Sequence, residues 1–249
     1  MKICRYKIDG RISIGIVEGE EIWECSPDLQ KTEVLHYADE IEFLAPAAPS
    51  KIVCVGRNYA AHAKELGNEM PSEPLLFLKA PSAVIASGQP IRIPEQSEQV
   101  EHEGELAVVI GATVKDIKDD EDPLKYVLGY TCLNDVTARD VQRRDVQFTR
   151  GKSFDTFCPI GPYIETQLDV SDIGLTVAVN GTIKQDGRTS QMAFSVAYLI
   201  KYISRQMTLA AGDVIATGTP SGVSKMIGGD VCEITIEGIG TLSNPVIGR

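Results

Sequence analysis

Residues 101–111 read EHEGELAVVIG, an acidic cluster running straight into an apolar strand. In an extended chain, residues two apart share a face, so Glu103 and Glu105 project together. Neighbouring carboxylates in a partly buried setting repel strongly unless a cation lies between them. A third carboxylate, Asp135, closes the strand-like GYTCLND of residues 129–135, where a side chain can point from a sheet end into a cleft. Three carboxylates with no His or Cys ligand favour a hard cation, Mg²⁺ first, with Mn²⁺ or Ca²⁺ as alternatives. Zinc would prefer nitrogen or sulfur, and the histidines, His36, His62 and His102, have no ligand-like spacing. Taken alone, the E-x-E pattern also suits a solvated acidic strand face.

Outward from this strand, short apolar runs alternate with turns. Toward the N-terminus, KICRYKI, RISIGIV and EIWEC read as strands within residues 2–25, joined by Asp9-Gly10 and by Glu18-Gly19-Glu20. A short helix is expected near Leu29–Tyr37. The stiff connector LAPAAPS at 44–50 marks a boundary between a small N-terminal β-rich lobe, residues 1–45, and a catalytic domain, residues 46–249. Lys51–Val55 is an apolar strand ending at Gly56, after which Asn58 can cap a short helix through Leu66, stopped by Gly67. Leu75–Leu78, Leu106–Ile110 and Tyr126–Leu133 are further buried strands. Asn180-Gly181 is a strong hairpin signal between Leu175–Val179 and Thr182–Lys184. Gln191–Gln206 carries apolar residues at 192, 196, 199, 200 and 203, one buried helical face. Asp213–Ala216 and Val231–Val246 return to strands. The sum is a β-rich, mixed α/β fold with few helices.

Three further segments carry chemistry. In RNYAAHAKELG, residues 57–67, His62 and Glu65 are three apart and share a helical face. A carboxylate there can orient an imidazole and raise its basicity, although the same spacing also makes an ordinary surface pair. DVTARDVQ, residues 135–142, reads as a helical turn with Asp135, Arg139 and Gln142 broadly on one side, and Lys152 follows beside Gly151. Arg139 and Lys152 can clamp a substrate carboxylate, or form only surface salt bridges. TGTPSG, residues 217–222, offers hydroxyls and free N–H groups that can cradle an anion, or is a plain turn. It is not a P-loop, because the G-x-x-x-x-G-K-[ST] pattern is absent.

Composition narrows the function classes. With 24 Lys and Arg against 35 Asp and Glu, the net charge of −11 repels a phosphate backbone, so no nucleic-acid partner is expected. Charges interrupt the N-terminus, and no long apolar stretch suits a membrane span. The six cysteines (4, 25, 54, 132, 158 and 232) have no C-x-x-C pair and fit free thiols in a reducing cytoplasm.

Taken in order, KIVCVGRNYAAHAKELG, PLLFLKAPSAVI, EHEGELAVVIG, YTCLNDVTARDVQ, GKSFDTFCPIGPYI, VNGTIKQDG and GDVIATGTPSGV resemble the fumarylacetoacetate hydrolase family, over about residues 51–246. The resemblance implies a mixed β-roll whose metal is held by Glu103, Glu105 and Asp135. It implies His62 and Glu65 as a catalytic pair on a short lid-like helix, joined by Lys152. Arg57, Tyr59, Arg139, Gln142 and Thr219 would then bind substrate, and the protein would be a homodimer. Members of the family hydrolyse acylpyruvates, decarboxylate oxaloacetate, or isomerise and hydrate unsaturated keto acids. The leading expectation is a metal-dependent hydrolase that cleaves a C–C bond of an acylpyruvate through a stabilised enolate. Alternatives are an oxaloacetate decarboxylase or tautomerase, a 2-hydroxyhepta-2,4-diene-1,7-dioate isomerase or decarboxylase, or a non-catalytic, metal-stabilised binding protein.

Overall fold

Apolar strands covered on both faces need a partner layer, and here two sheets supply it for each other. The computed structural model describes residues 1–248. Its larger sheet has twelve strands. One flank runs Lys31–Tyr37, Glu21–Cys25, Arg11–Glu18, Lys2–Ile8. The sheet continues through Cys158–Glu165, Val127–Asn134, Gly104–Ile110, Val214–Ala216, Ile52–Gly56 and Leu75–Lys79. A second, five-stranded sheet is built on Thr182–Arg188, Gly174–Val179, Val231–Ile236 and Gly240–Ile247. Four α-helices complete the described fold: α1 (Ala60–Glu65), α2 (Arg139–Arg144), α3 (Thr149–Lys152) and α4 (Val196–Gln206). This is the β-rich mixed fold expected from the sequence.

Gly104–Ile110 is buried along its whole length, which explains its unbroken apolar run. Val127–Asn134 and Val214–Ala216 flank it, both antiparallel. Its first residue packs directly against the second sheet. A Cβ on Gly104 would lie 2.3 Å from Val177 Cγ2 and 3.4 Å from Ile234 Cγ2, so a side chain there would push the sheets apart. The glycine inside EHEGE is thus a packing requirement that lets the flanking glutamates sit deep.

The predicted turns hold. Ile8 pairs with Arg11 across Asp9-Gly10, and Val179 pairs with Thr182 across Asn180-Gly181. The helix expected near Leu29–Tyr37 is instead the strand Lys31–Tyr37. An isolated helix that short is marginal, whereas pairing Ile22 with His36 and Trp23 with Leu35 satisfies its backbone on a sheet edge. Residues 1–45 have a small core of Cys4, Tyr6 and Ile22, and Lys2 and Ile3 pair with Glu165 and Ile164 to extend the large sheet.

Two helix starts also differ from expectation. Helix α4 begins after Ser195, whose hydroxyl accepts from Tyr198 N, later than the expected start at Gln191: Gln191 instead closes a 3₁₀ turn over Thr189–Gln191, and Met192 bridges Tyr59. Asn58 does not cap α1. Its buried amide donates to Phe194 O at 3.1 Å and Thr217 O at 2.7 Å, and accepts from Phe194 N at 2.8 Å. With both N–H donors committed and its oxygen turned to Phe194 N, the side chain faces two distant segments rather than the first turn, so it pins the entry of α1 to the core. Gly67 does end this helix, with its N–H on Lys64 O at 3.0 Å.

Replacing Gly104 with Ala tests the sheet contact. Overpacking of about 1–3 kcal/mol is expected, read as a lower urea midpoint at constant m-value. An unshifted midpoint would mean that the sheets separate there at no cost.

Candidate active site

Antiparallel pairing builds the acidic cluster. Gly104 lies opposite Asn134 and Glu105 opposite Leu133, while Asp135 N donates to Glu103 O at 2.8 Å. The end of one strand and the start of its neighbour therefore present Glu103, Glu105 and Asp135 together. One carboxylate oxygen from each lies within 4.8 Å of the others, and all three residues are buried.

Three buried cations partly balance these charges. Lys152 Nζ lies 2.7 Å from Glu103 Oε2 and 2.6 Å from Asp135 Oδ2. Lys79 Nζ reaches Asp135 Oδ1 at 2.6 Å and Val136 O at 3.1 Å. Arg139 Nε donates to Glu101 Oε2 at 2.7 Å, and its Nη2 donates to Glu103 Oε1. Burial opposes ionisation of Glu103, but Lys152 and Arg139 outweigh it and hold this carboxyl well below the usual range. Burial also works against the Lys152 ammonium, yet Asp135 and Glu103 raise its pKa, so it stays charged. Glu105 is different. Burial first, then repulsion from Asp135 and Glu103, push its carboxyl well above the ordinary value, and among the described residues only the Gly218 N–H bonds it directly, at 2.7 Å. The cluster lacks one positive charge at Glu105. Oxygen-only donors, converging and under-compensated, fit a hard divalent cation held by Glu103, Glu105 and Asp135.

His62 and Glu65 do share a face of α1, with Nδ1 3.2 Å from Glu65 Oε2. His62 is buried, so this is no loose surface pair. Glu65 also accepts from Gly222 N at 3.0 Å. The 217–222 loop does cradle anions, but they are the protein's own. Gly218 N–H holds Glu105, Gly222 N–H holds Glu65, and the Thr219 hydroxyl goes to Gly104 O at 2.8 Å. Gly222 has φ +104°, and a Cβ on it would lie 2.0 Å from Lys184 O, so no other residue fits without moving the loop.

One cavity of about 430 Å³ gathers most of the expected residues. The three carboxylates, His62, Glu65 and Lys152 line it, and so do Arg57, Arg139, Gln142 and Thr219. Tyr59 does not. It is buried beside them, paired through its backbone with Met192, and its hydroxyl has no partner among the described residues. Arg57 sits at φ +59°, an uncommon conformation for a side-chain-bearing residue and one that clusters at functional sites. The turn expected over 135–142 starts later: α2 begins at Arg139, whose Nη1 donates to Gln142 Oε1 at 2.7 Å, and Asp135 arrives from the strand end. Arg139 and Lys152 are buried, and their closest bonds go to protein carboxylates.

Residues 51–247 match the fumarylacetoacetate (FAA) hydrolase C-terminal family. The chain belongs to the fumarylacetoacetate hydrolase family. It is similar to the oxaloacetate tautomerase YisK of Bacillus subtilis (strain 168), with 42% identity over 90% of this chain and 79% of that protein. It is 48% identical to the mitochondrial oxaloacetate decarboxylase of Dictyostelium discoideum, over 77% of this chain and 90% of that one. Among solved structures, the 5-carboxymethyl-2-hydroxymuconate delta-isomerase of Mycobacterium smegmatis superposes with a TM-score of 0.93 at 41% identity, covering 100% of both chains. As a member of this family the protein is an enzyme, and its acidic triad is of the kind that holds the family's divalent metal.

Lys79 escaped the sequence reading of this family site. Its signal was present: LLFLK ends an apolar strand on a charged residue, and a lysine buried there needs a carboxylate partner. Glu101 stood in the acidic stretch without a role, and proves to hold Arg139.

Glu105→Gln and Asp135→Asn are expected to lower divalent-metal affinity by more than the about 10–100-fold that outer partners are worth. Calorimetric titration showing wild-type affinity in either variant would remove that residue from the ligand set. Lys79→Met leaves Asp135 Oδ1 without its buried donor while Lys152 still holds Oδ2, and should cost about 1–3 kcal/mol of stability, measured by urea unfolding of the metal-free protein.

Proposed function

We propose that this enzyme interconverts the enol and keto forms of a small 2-oxo dicarboxylic acid of the oxaloacetate type. It would work with Mg²⁺, in the cytoplasm and as a homodimer. The relatives' names (tautomerase, decarboxylase, delta-isomerase) favour this alternative over the acylpyruvate hydrolysis first expected from the sequence. The observation that carries it is the His62–Glu65 pair on the wall of the same cavity as the acidic triad. All the named reactions need charge stabilised on an enolate, and tautomerisation adds only a group that moves a proton.

A divalent cation at Glu103, Glu105 and Asp135 would supply Lewis-acid stabilisation of enolate charge. The chain's own residues do the rest. Glu65 accepts from His62 Nδ1, which leaves Nε2 free to work on substrate. In the ketonising direction, His62 Nε2 takes the enol hydroxyl proton, with Nδ1–H still on Glu65, and then returns that proton to the carbon beside the keto group, so the imidazole ends neutral as it began. The reverse reaction uses the same nitrogen as base. Lys152, kept charged by Asp135 and Glu103, adds positive potential where the oxyanion develops. Arg57 and Gln142 line the cavity as donors for a substrate carboxylate.

The test is a substrate panel: oxaloacetate followed for enol–keto exchange and for CO₂ release, 2,4-dioxo acids, and 2-hydroxydienoates, each with Mg²⁺ and with chelator. Chelator-sensitive enol–keto exchange is expected to be the fastest activity. His62→Ala should lower its kcat by about 10²–10⁴ while leaving Mg²⁺ affinity unchanged. Preferential turnover of 2,4-dioxo acids would return the protein to the hydrolases, and a silent panel would overturn the proposed substrate class.

A further inference from the structure

His102 lies between two acidic residues yet belongs to neither the triad nor the catalytic pair. It is fully buried, and both ring nitrogens are engaged. Gln185 Oε1 is 3.0 Å from Nδ1, and Ser224 Oγ is 2.8 Å from Nε2. The orientation of the Gln185 amide follows from its other partners. Its Nε2 donates to Thr219 Oγ1 at 2.8 Å and to Pro220 O at 2.6 Å, and its Oε1 accepts from Gly104 N at 3.0 Å. A flipped amide would set oxygen against the Pro220 carbonyl and nitrogen against the Gly104 N–H. Nδ1 of His102 must therefore carry a proton and donate it to Gln185.

The chain of bonds does not stop there. Thr219 gives its hydroxyl proton to Gly104 O at 2.8 Å, so the centre of the 217–222 loop is stitched to the strand that carries Glu103 and Glu105. On either side of that stitch, Gly218 N–H holds Glu105 and Gly222 N–H holds Glu65. A single loop thus grips one carboxylate from each half of the site, and His102–Gln185 grips the loop. Buried polar networks that are fully satisfied rigidify their surroundings, while partly satisfied ones are costly.

We propose that His102 and Gln185 are positioning residues: they fix the 217–222 loop so that Gly222 holds Glu65 in line with His62. This rests on the reading of His62 and Glu65 as the proton-moving pair.

The experiment is a double-mutant cycle on Mg²⁺-loaded enzyme, reading kcat and KM for enol–keto exchange of oxaloacetate. The variants are His102→Leu, His102→Asn, Glu65→Ala and the His102→Leu/Glu65→Ala double. His102→Leu is expected to lower kcat by about ten- to a hundredfold with KM nearly unchanged. His102→Asn should recover most of this, because its amide N–H replaces the Nδ1 donor. In the Glu65→Ala background, His102→Leu should add little, since the group being positioned is gone. Amide hydrogen exchange gives a readout free of turnover: the 217–222 segment should exchange faster in His102→Leu and at the wild-type rate in His102→Asn. Should the leucine variant not fold, Gln185→Met breaks the same chain from its other end and enters the cycle in its place. Equal losses with and without Glu65, or no rescue by asparagine, would overturn the positioning role alone. A fully active Glu65→Ala enzyme would overturn the catalytic pair and the positioning role together.

Discussion

Glu103, Glu105 and Asp135 are buried at one end of the large sheet, with Glu101 buried on the small two-stranded sheet that Val100–Glu101 forms with Thr137–Ala138, and much of the surrounding structure answers their charge. Burying carboxylates is tolerable only with bonded counter-charges. Arg139 spans Glu101 and Glu103, Lys152 spans Glu103 and Asp135, and Lys79 closes Asp135 from behind. These pairs decide where α2 and α3 sit, because each helix delivers one of the cations. Among the described residues Glu105 has no such partner and receives only a backbone N–H. The arrangement is balanced everywhere except on the side facing the cavity, which is where a divalent ion would complete it.

The His62–Glu65 pair is held with similar economy. Helix α1 is six residues long, too short to hold itself in water. Its position comes from its ends. Asn58 ties the entry to the backbone at Phe194 and Thr217, and Glu65 ties the exit to Gly222. The exit tie is partly exposed, with Glu65 at 33% side-chain exposure, and the entry tie is buried. A segment anchored firmly at one end and lightly at the other can open locally at low cost, which suits a helix standing over a substrate cavity. The lysine, the imidazole and the triad line one cavity, with the triad and Lys152 buried, where electrostatic effects are stronger than in water.

Some of this was legible in the residues themselves. The two-residue period put Glu103 and Glu105 on one face, and helical spacing put Glu65 within reach of His62. Turn chemistry placed both two-residue hairpins. These are rules of local geometry, so they survive without knowledge of the fold. The strand at Lys31–Tyr37 was not legible, because its conformation depends on an edge waiting at Glu21–Cys25.

The amino-acid sequence alone determined the family, the β-rich architecture, the three clustered carboxylates and the His62–Glu65 spacing, since each lies in a short, ordered motif. Only the tertiary structure decided which charges meet. Lys79 reaches Asp135 across 56 residues, Gly218 reaches Glu105 across 113, and Gly222 reaches Glu65 across 157. It also turned Asn58 from a helix cap into a buried tie, and the 217–222 loop from a candidate substrate cradle into a holder of the site's own carboxylates. The reason is physical: a buried polar group takes whichever partner the strand order brings to it, and strand order is a property of the whole chain.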